Sequence, residues 1–400
     1  MDAVTRDWPS MSLTIGAVLD VAGEAPPVER LRERVATCLS RLPVLTHRLE
    51  GPKLRARWVH EPHPDLTVRV REMVVAPGGA AAAVDALINH PLPQDGPPWD
   101  LWLLRGDSPG CHTLCYRASH VTHDGVAVRN TLYGLLGAEV PKALAPRPAT
   151  VAAFARVLRN QSGMLSRAGV WNDPDVPLTG ERVRGWASVP TERMRAVASE
   201  AGGSSNDASL AVLAGALRTW AFDNWSRGAD LPLSAMVMVD GRHAAESARP
   251  GNLFSFGPLM LPAHLSETRQ RLAAVVAVTD VLRQPSIRRA TRLLMERTPA
   301  GTFYAAAKML TAPHRAPVDT SHVAFHQPLR HEDAPVTGVR MFTVLPANHP
   351  LSVLSCSYGG MTTLHFVADG ALPGAAELPS RWLTELDAAE KEQYTTTLTQ

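Results

Sequence analysis

The stretch Tyr116-Arg117-Ala118-Ser119-His120-Val121-Thr122-His123-Asp124-Gly125 constrains this chain more than any other, because a strand runs there into a tight bend carrying histidine, aspartate and glycine. If the strand over 111–118 keeps its period of two, Leu114, Tyr116, Ala118 and His120 share one face, and His120 projects where the strand stops. An imidazole has an ordinary pKa of about 6.5, so at that perch it can take a proton from a hydroxyl and return it to a leaving group. Asp124, beyond the bend, either orients that ring or holds the loop by an ion pair. Gly125 is expected to supply the backbone freedom of the turn. A histidine after a strand is more often structural than catalytic, so the His-x-x-x-Asp-Gly spacing carries the reading, not the ring alone.

The 400 residues give enough apolar sequence for two compact units or one large one. A net charge of +2 provides no basic face, so nucleic acid is not expected as a partner. The cysteines, Cys38, Cys111, Cys115 and Cys356, include no pair with zinc spacing backed by histidines, and no metal is expected. The start lacks the basic, apolar, small-residue pattern of a secretory signal, and no apolar run approaches spanning length. A cytoplasmic protein is the expectation, with peripheral contact at a membrane surface left open.

Periodicity predicts a strand over 13–21 and a helix on Val28, Leu31, Val35, Leu39 and Leu42, then strands over 55–60 and 66–75. An alanine-rich helix over 80–89 must end at the proline-dense run 91–99. A strand pair, 100–105 and 111–118, precedes the bend, and a helix over 126–136 follows it. Pro141, Pro146 and Pro148 mark a linker, followed by a basic amphipathic helix with Val151, Phe154, Leu158 and Leu165 on one side. A second Pro/Gly/Asp-rich stretch covers 171–185, which places a boundary near residue 170 between subdomains 1–170 and 171–400.

The second half restarts with a strand over 183–189 and a helix over 191–201. Ser205 or Asn206 is expected to cap the next helix, whose apolar stripe is Leu210, Leu213, Leu217 and Trp220. Strands over 233–239 and 253–261 precede a helix on Leu272, Val275, Val276 and Leu282. From 300 to 337 the pattern weakens, as in a long functional loop or irregular crossover. A strand over 339–345 and a hairpin of 351–358 with 361–368 about Gly359-Gly360 follow, then a helix over 377–394. Both halves mix strands and helices, so the fold class is α/β, with two subdomains meeting at a channel.

Ser119-His120-Val121-Thr122-His123-Asp124-Gly125 resembles the His-His-x-x-x-Asp-Gly motif of acyltransferases with the chloramphenicol acetyltransferase fold, a set that includes peptide-synthetase condensation domains. Pro91-Leu92 with Pro97-Pro98-Trp99 is similar to the Pro-Leu…Pro-Leu-Trp segment of bacterial wax ester synthase/diacylglycerol acyltransferases. Asn206-Asp207 opening a helix, Gly251-Asn252 ahead of a strand ending Leu261-Pro262, and Ser357-Tyr358-Gly359-Gly360 with Asp369 before Pro373 resemble that family too. The likeness runs from about residue 7 to 390. Three departures stand out. Ser119 replaces the motif's first histidine, Pro98 replaces a leucine, and Ser321-His322-Val323-Ala324 stands where the family usually carries Ser-Asn-Val-Pro near the substrate channel.

The resemblance implies two chloramphenicol acetyltransferase-like subdomains, each a mixed sheet with flanking helices. It implies an O-acyltransferase that moves an acyl group from acyl-CoA, a co-substrate and not a bound cofactor, to a long-chain alcohol, diacylglycerol or hydroxylated specialised metabolite. The catalytic set is His120 as general base with Asp124 and Gly125. Ser119, His123, Asn206, Pro98 and Trp99 are assigned to substrate binding, although packing suits Trp99, capping or an oxyanion contact suits Asn206, and solvent-facing filler or a backup base suits His123. Arg242 is assigned a structural ion pair by analogy with related folds. Two other functions stay open: a condensation-type enzyme taking its acyl group from a carrier protein, and a non-catalytic member that binds lipid or a partner.

Overall fold

The computed structural model describes residues 13–51, 56–140, 148–163, 176–225, 230–242, 246, 249, 251–310, 312, 314–346 and 349–398. The boundary expected near residue 170, with Pro141, Pro146 and Leu165, lies outside them.

The first half contains β1 (Thr14–Ala22), α1 (Val28–Cys38), the two-stranded ribbon β2 (His47–Glu50) and β3 (Arg57–His60), the single turn α2 (Leu66–Arg69), β4 (Val70–Val74), α3 (Ala80–Asn89), β5 (Trp99–Arg105), β6 (Cys111–Ser119) and α4 (Gly125–Leu135). There follow α5 (Val151–Gly163), β7 (Arg182–Pro190), α6 (Thr191–Ser199), α7 (Ser205–Asn224), β8 (Leu233–Asp240), β9 (Phe254–Leu261), α8 (Thr268–Arg283), α9 (Pro285–Arg297) and α10 (Ala300–Leu310). The chain continues through β10 (Val318–Ala324), β11 (Arg330–His331), β12 (Ala334–Phe342), β13 (Leu351–Tyr358), β14 (Met361–Asp369) and α11 (Leu378–Leu398).

Two mixed sheets result, ordered β11-β12-β1-β6-β5-β4 and β7-β14-β13-β10-β8-β9. The first is antiparallel except where β4 joins β5. The second has a parallel centre, β8-β10-β13, with antiparallel strands outside it. The first sheet is not contained in residues 1–170, because β11 and β12 cross over from the second half and β12 pairs along β1 from Gly16–Phe342 to Val21–Val336. That placement pairs both edges of β1, and the helices Ala80–Asn89 and Gly125–Leu135 pack against the strand, which is buried along most of its length.

Each sheet is covered by helices through apolar contact. Val28, Leu31, Val35 and Cys38 form the buried stripe of α1 and join the core made with β1 and β6. In the second half α7 is buried on nearly all sides, between α6, α8, α11 and the sheet, and so shows little amphipathic asymmetry. Its cap is Ser204, not Ser205 or Asn206: Ser204 Oγ accepts from Asp207 N at 3.3 Å while Asp207 Oδ2 accepts from Ser204 N at 2.7 Å. The reciprocal pair saturates two amides that the helix itself leaves open. The β13–β14 hairpin turns on Gly359 and Gly360 at φ 57° and 81°, the left-handed pair a two-residue turn requires.

Several expectations are corrected. Residues 66–75 are not one strand, because Asp65 accepts from both the amide and hydroxyl of Thr67 and starts a turn of helix before β4. The span 300–337 is not irregular; it holds α10, β10, β11 and the start of β12. The last of these strands is Ala334–Phe342 where 339–345 was expected. In α5 the packed residues are Ala153 and Val157 against Ile287 and Ala290, whereas Val151 and Leu158 are exposed.

Arg117, within the strand that leads to the bend, is fully buried and forms a two-pronged pair with Asp100, Nε–Oδ1 2.8 Å and Nη2–Oδ2 2.5 Å. Its remaining nitrogen donates to the carbonyls of Leu87 and His90, so one guanidinium ties β6, β5 and the end of α3 together. Among the described residues no helix is long and apolar enough to cross a membrane.

Candidate active site

A cleft of about 850 Å³, mouth included, lies between the two sheets. The first lobe contributes Ile15, His120, Gly125, Val126, Met341 and Phe342 to its wall, and the second contributes Met238, Phe254, Asp319, Ser321, Ser352 and Leu354. His120 stands just past the end of β6, where its amide donates to Leu13 O at 2.7 Å. The strand ends there because Thr122 and His123 turn their amides back onto Ser119 O.

The bend is docked onto a segment of the other lobe. Gly251 donates to Thr122 O at 2.7 Å, and Asn252 Nδ2 donates to His120 O at 2.6 Å and Val121 O at 3.3 Å. With its nitrogen fixed by two carbonyls, the Asn252 amide presents Oδ1 to His120 Nδ1 at 3.0 Å. A carbonyl oxygen only accepts, so in the neutral ring Nδ1 carries the proton and Nε2 keeps its lone pair. Phe254 flanks the ring at a centroid separation of 6.3 Å.

Asp124 points elsewhere. Its Oδ1 accepts from Ala127 N at 2.8 Å and caps α4, while its Oδ2 accepts from Leu253 N at 2.8 Å and pairs with Arg242 Nη1 at 2.8 Å. The carboxylate therefore clamps the bend to the second lobe. Arg242 also meets Asp240 at 3.3 Å and donates to Gly251 O. Burial by itself would lower the Arg242 pKa, but the two carboxylates outweigh it and hold the guanidinium above its ordinary range. The ion pair expected of Arg242 is thus present, with Asp124 as its partner.

Gly125 matters for space and not for backbone freedom. It is absent from the residues with positive φ, and a Cβ there would lie 2.8 Å from Val323 Cγ2. His123 is neither solvent-facing nor part of the cleft wall. It is fully buried, 2.8 Å from the Tyr116 hydroxyl and 3.0 Å from Thr122 Oγ1, and burial pushes its pKa down to about 3. A ring held neutral inside a packed core cannot reach a substrate.

The other residues assigned to substrate binding also stand off the cleft wall. Trp99 is fully buried, with Nε1 donating to Leu45 O at 2.9 Å. Pro98 spends its carbonyl on Ser119 N, and Ser119 Oγ accepts from Val121 N. Asn206 is the second residue of α7 and does not line the cleft, so it is not the oxyanion donor there. The residue that reasoning from sequence left without a role is Asn252; its signal was the Gly251-Asn252 pair, where Gly251 takes φ 111° to bring the asparagine up to the bend. Among the described residues no cluster of side chains is arranged to hold a metal.

Two lobes, two mixed sheets and an interlobe cleft with the histidine bend at its wall define a protein of the chloramphenicol acetyltransferase-like fold. Solved structures agree on that fold. The wax ester synthase/diacylglycerol acyltransferase of Marinobacter aquaeolei VT8 superposes with a TM-score of 0.64 at 19% identity, covering 95% of this chain and 94% of that one. The first condensation domain of the CDA synthetase gives 0.68 at 16% identity over 98% and 93%. A mutant starter condensation domain of rhizomide synthetase, in complex with C8-CoA, gives 0.67 at 14% identity over 98% and 92%.

Residues 6–172 match the model of the wax ester synthase/diacylglycerol acyltransferase catalytic domain. A Mycobacterium tuberculosis protein named provisionally as a diacylglycerol O-acyltransferase is 28% identical over 271 residues, 57% of this chain and 57% of that protein. Another from the same organism, similarly named, is 24% identical over 330 residues, 70% of this chain and 73% of its own length. The chain thus spans little more than half the length of the first of these relatives.

Proposed function

We propose that this protein is an acyl-CoA-dependent O-acyltransferase with His120 as its general base. The observation that carries the reading is the Asn252–His120 contact, which puts the proton of the neutral ring on Nδ1 and leaves Nε2 to accept one on the wall of the interlobe cleft. In the proposed reaction the acceptor oxygen attacks the thioester carbonyl carbon while Nε2 takes the hydroxyl proton. The carbon–sulfur bond then breaks, the imidazolium returns the proton to the departing thiolate, and ester and free CoA leave. Binding both substrates in one cleft makes the step effectively intramolecular, and no covalent enzyme intermediate is required. Asp124 acts here by holding the bend, as its engagement with Arg242, Ala127 and Leu253 supports. The names of the relatives, and the C8-CoA complex of a protein with this fold, support acyl-CoA as the donor.

The test is thiol release from acyl-CoA on adding long-chain alcohol, diacylglycerol or hydroxylated metabolites, with His120→Ala beside the parent protein. Acceptor-dependent release that His120→Ala lowers by about 100-fold or more, with the fold intact, supports the reading. Equal release by both proteins rejects His120 as base. Release only from a carrier-protein thioester moves the protein to the condensation-type chemistry.

A further inference from the structure

Asp319 is a buried titratable group that this chemistry does not use. It lies on β10, is only 5% exposed, and belongs to the cleft wall. Its Oδ1 has no hydrogen-bond partner among the described residues and is itself closed to solvent, so a ligand in the cleft meets the carboxyl at its other oxygen. Its neighbours across the sheet are Ser352 on β13 and Met236 on β8. By strand alternation Asp319, Ser321 and Val323 share the face turned to the first lobe, and Val323 packs over Gly125.

From Val323 to Asp319 the strand advances by about 13 Å. Asp319 therefore stands on the order of 10 Å along the cleft from the histidine bend. Burial raises its pKa, and only the field of His349 opposes that. At the bend Asp124 and Asp240 share Arg242, whereas Asp319 has no such cation bonded to it among the described residues. A carboxyl so short of donors in such surroundings is costly, and a ligand donor at its open oxygen lowers that cost.

We propose that Asp319 receives a second hydrogen-bond donor of the acceptor, on the order of 10 Å from the hydroxyl that is acylated. The acceptor is then an α,ω-diol or amino alcohol in character, not a plain long-chain alcohol. This rests on the acyltransferase reading for the reaction but not for the binding.

The test compares 1-octanol, 1,2-octanediol, 1,8-octanediol and 8-amino-1-octanol on the full chain and on Asp319→Asn and Asp319→Leu. Turnover with acyl-CoA and calorimetric binding are both measured. The wild type should favour the two α,ω compounds over 1-octanol by about tenfold or more in kcat/KM. Asp319→Leu should bring both ratios to about 1, while Asp319→Asn keeps the diol preference and loses the amine preference. Equal use of 1-octanol and 1,8-octanediol by the wild type overturns the proposal, as does a ratio unmoved by Asp319→Leu or a preference for 1,2-octanediol. If no acceptor releases CoA, the reaction reading fails by itself and binding decides: tighter binding of the α,ω compounds, lost in Asp319→Leu, upholds the Asp319 site, and equal binding by both proteins removes it. Should Asp319→Leu not fold, the wild-type ratios and the loss of the amine preference in Asp319→Asn decide the matter.

Discussion

Nδ1 of His120 lies 3.0 Å from Oδ1 of Asn252, across the join between the two lobes. Asn252 is a positioning residue: it sets the ring's tautomer and holds the backbone of the bend through two further hydrogen bonds. Asn252→Ala should lower kcat by about 10- to 100-fold with little change in KM. Asn252→Asp should retain more activity and move the acid limb of the pH–rate profile upward, because a carboxylate stabilises the imidazolium. A pH profile identical to the parent's would remove Asn252 from this role.

Asp124 and Arg242 are nearly inaccessible and 2.8 Å apart. Removing one partner strands the other's charge, so Asp124→Ala and Arg242→Ala should each cost about 3–5 kcal/mol in urea unfolding. The double substitution should cost clearly less than the sum. Additive costs in that cycle would show that the pair is not coupled.

Gly125→Ala brings a methyl group to 2.8 Å from a branched, buried Val323 side chain. The substitution should destabilise by about 1–3 kcal/mol and depress turnover by shifting the start of α4. Val323→Ala in the same chain should restore part of both. If Gly125→Ala is silent, close approach is not what this position demands.

Five histidines among the described residues are held neutral by burial. His123 and His365 are pushed down to about 3, His322 and His331 to about 4, and His112 in the same direction. In the unfolded chain they protonate near 6.5, so below that pH the unfolded state binds protons that the native state does not. Stability should be full above about pH 6.5 and fall steadily toward pH 4, by at most about 1.4 kcal/mol per pH unit for each group. Urea midpoints at pH 7.5, 6.0 and 5.0 test this. A flat midpoint across that range would contradict it.

Much of the site was readable because its strand and bend are local. The alternation through Tyr116 and Ala118, the cap at Asp124 and the Gly359-Gly360 hairpin each arise from residues close in sequence. The span that seemed irregular was hidden by its own position. β10 carries polar residues at four consecutive positions, Asp319, Thr320, Ser321 and His322, with Thr320 bonding Met236 O and His322 meeting Ser355, so neither face is apolar enough to show a period of two. Asn206 drew attention because it stands beside Asp207, whose carboxylate is engaged by Ser204, Thr279 and Arg283 inside the second lobe. Asn252 acts at long range, across 132 positions, and the Gly251-Asn252 pair that marks it locally says nothing of its partner.

The late return of Ala334–Phe342 to lie beside Thr14–Ala22 bears on how the gene can be cut and spliced. A fragment ending near the midpoint would leave the opening strand with a bare rim that invites aggregation. Chimeras that swap an amino-terminal half with a relative should therefore transplant residues 330–342 together with it.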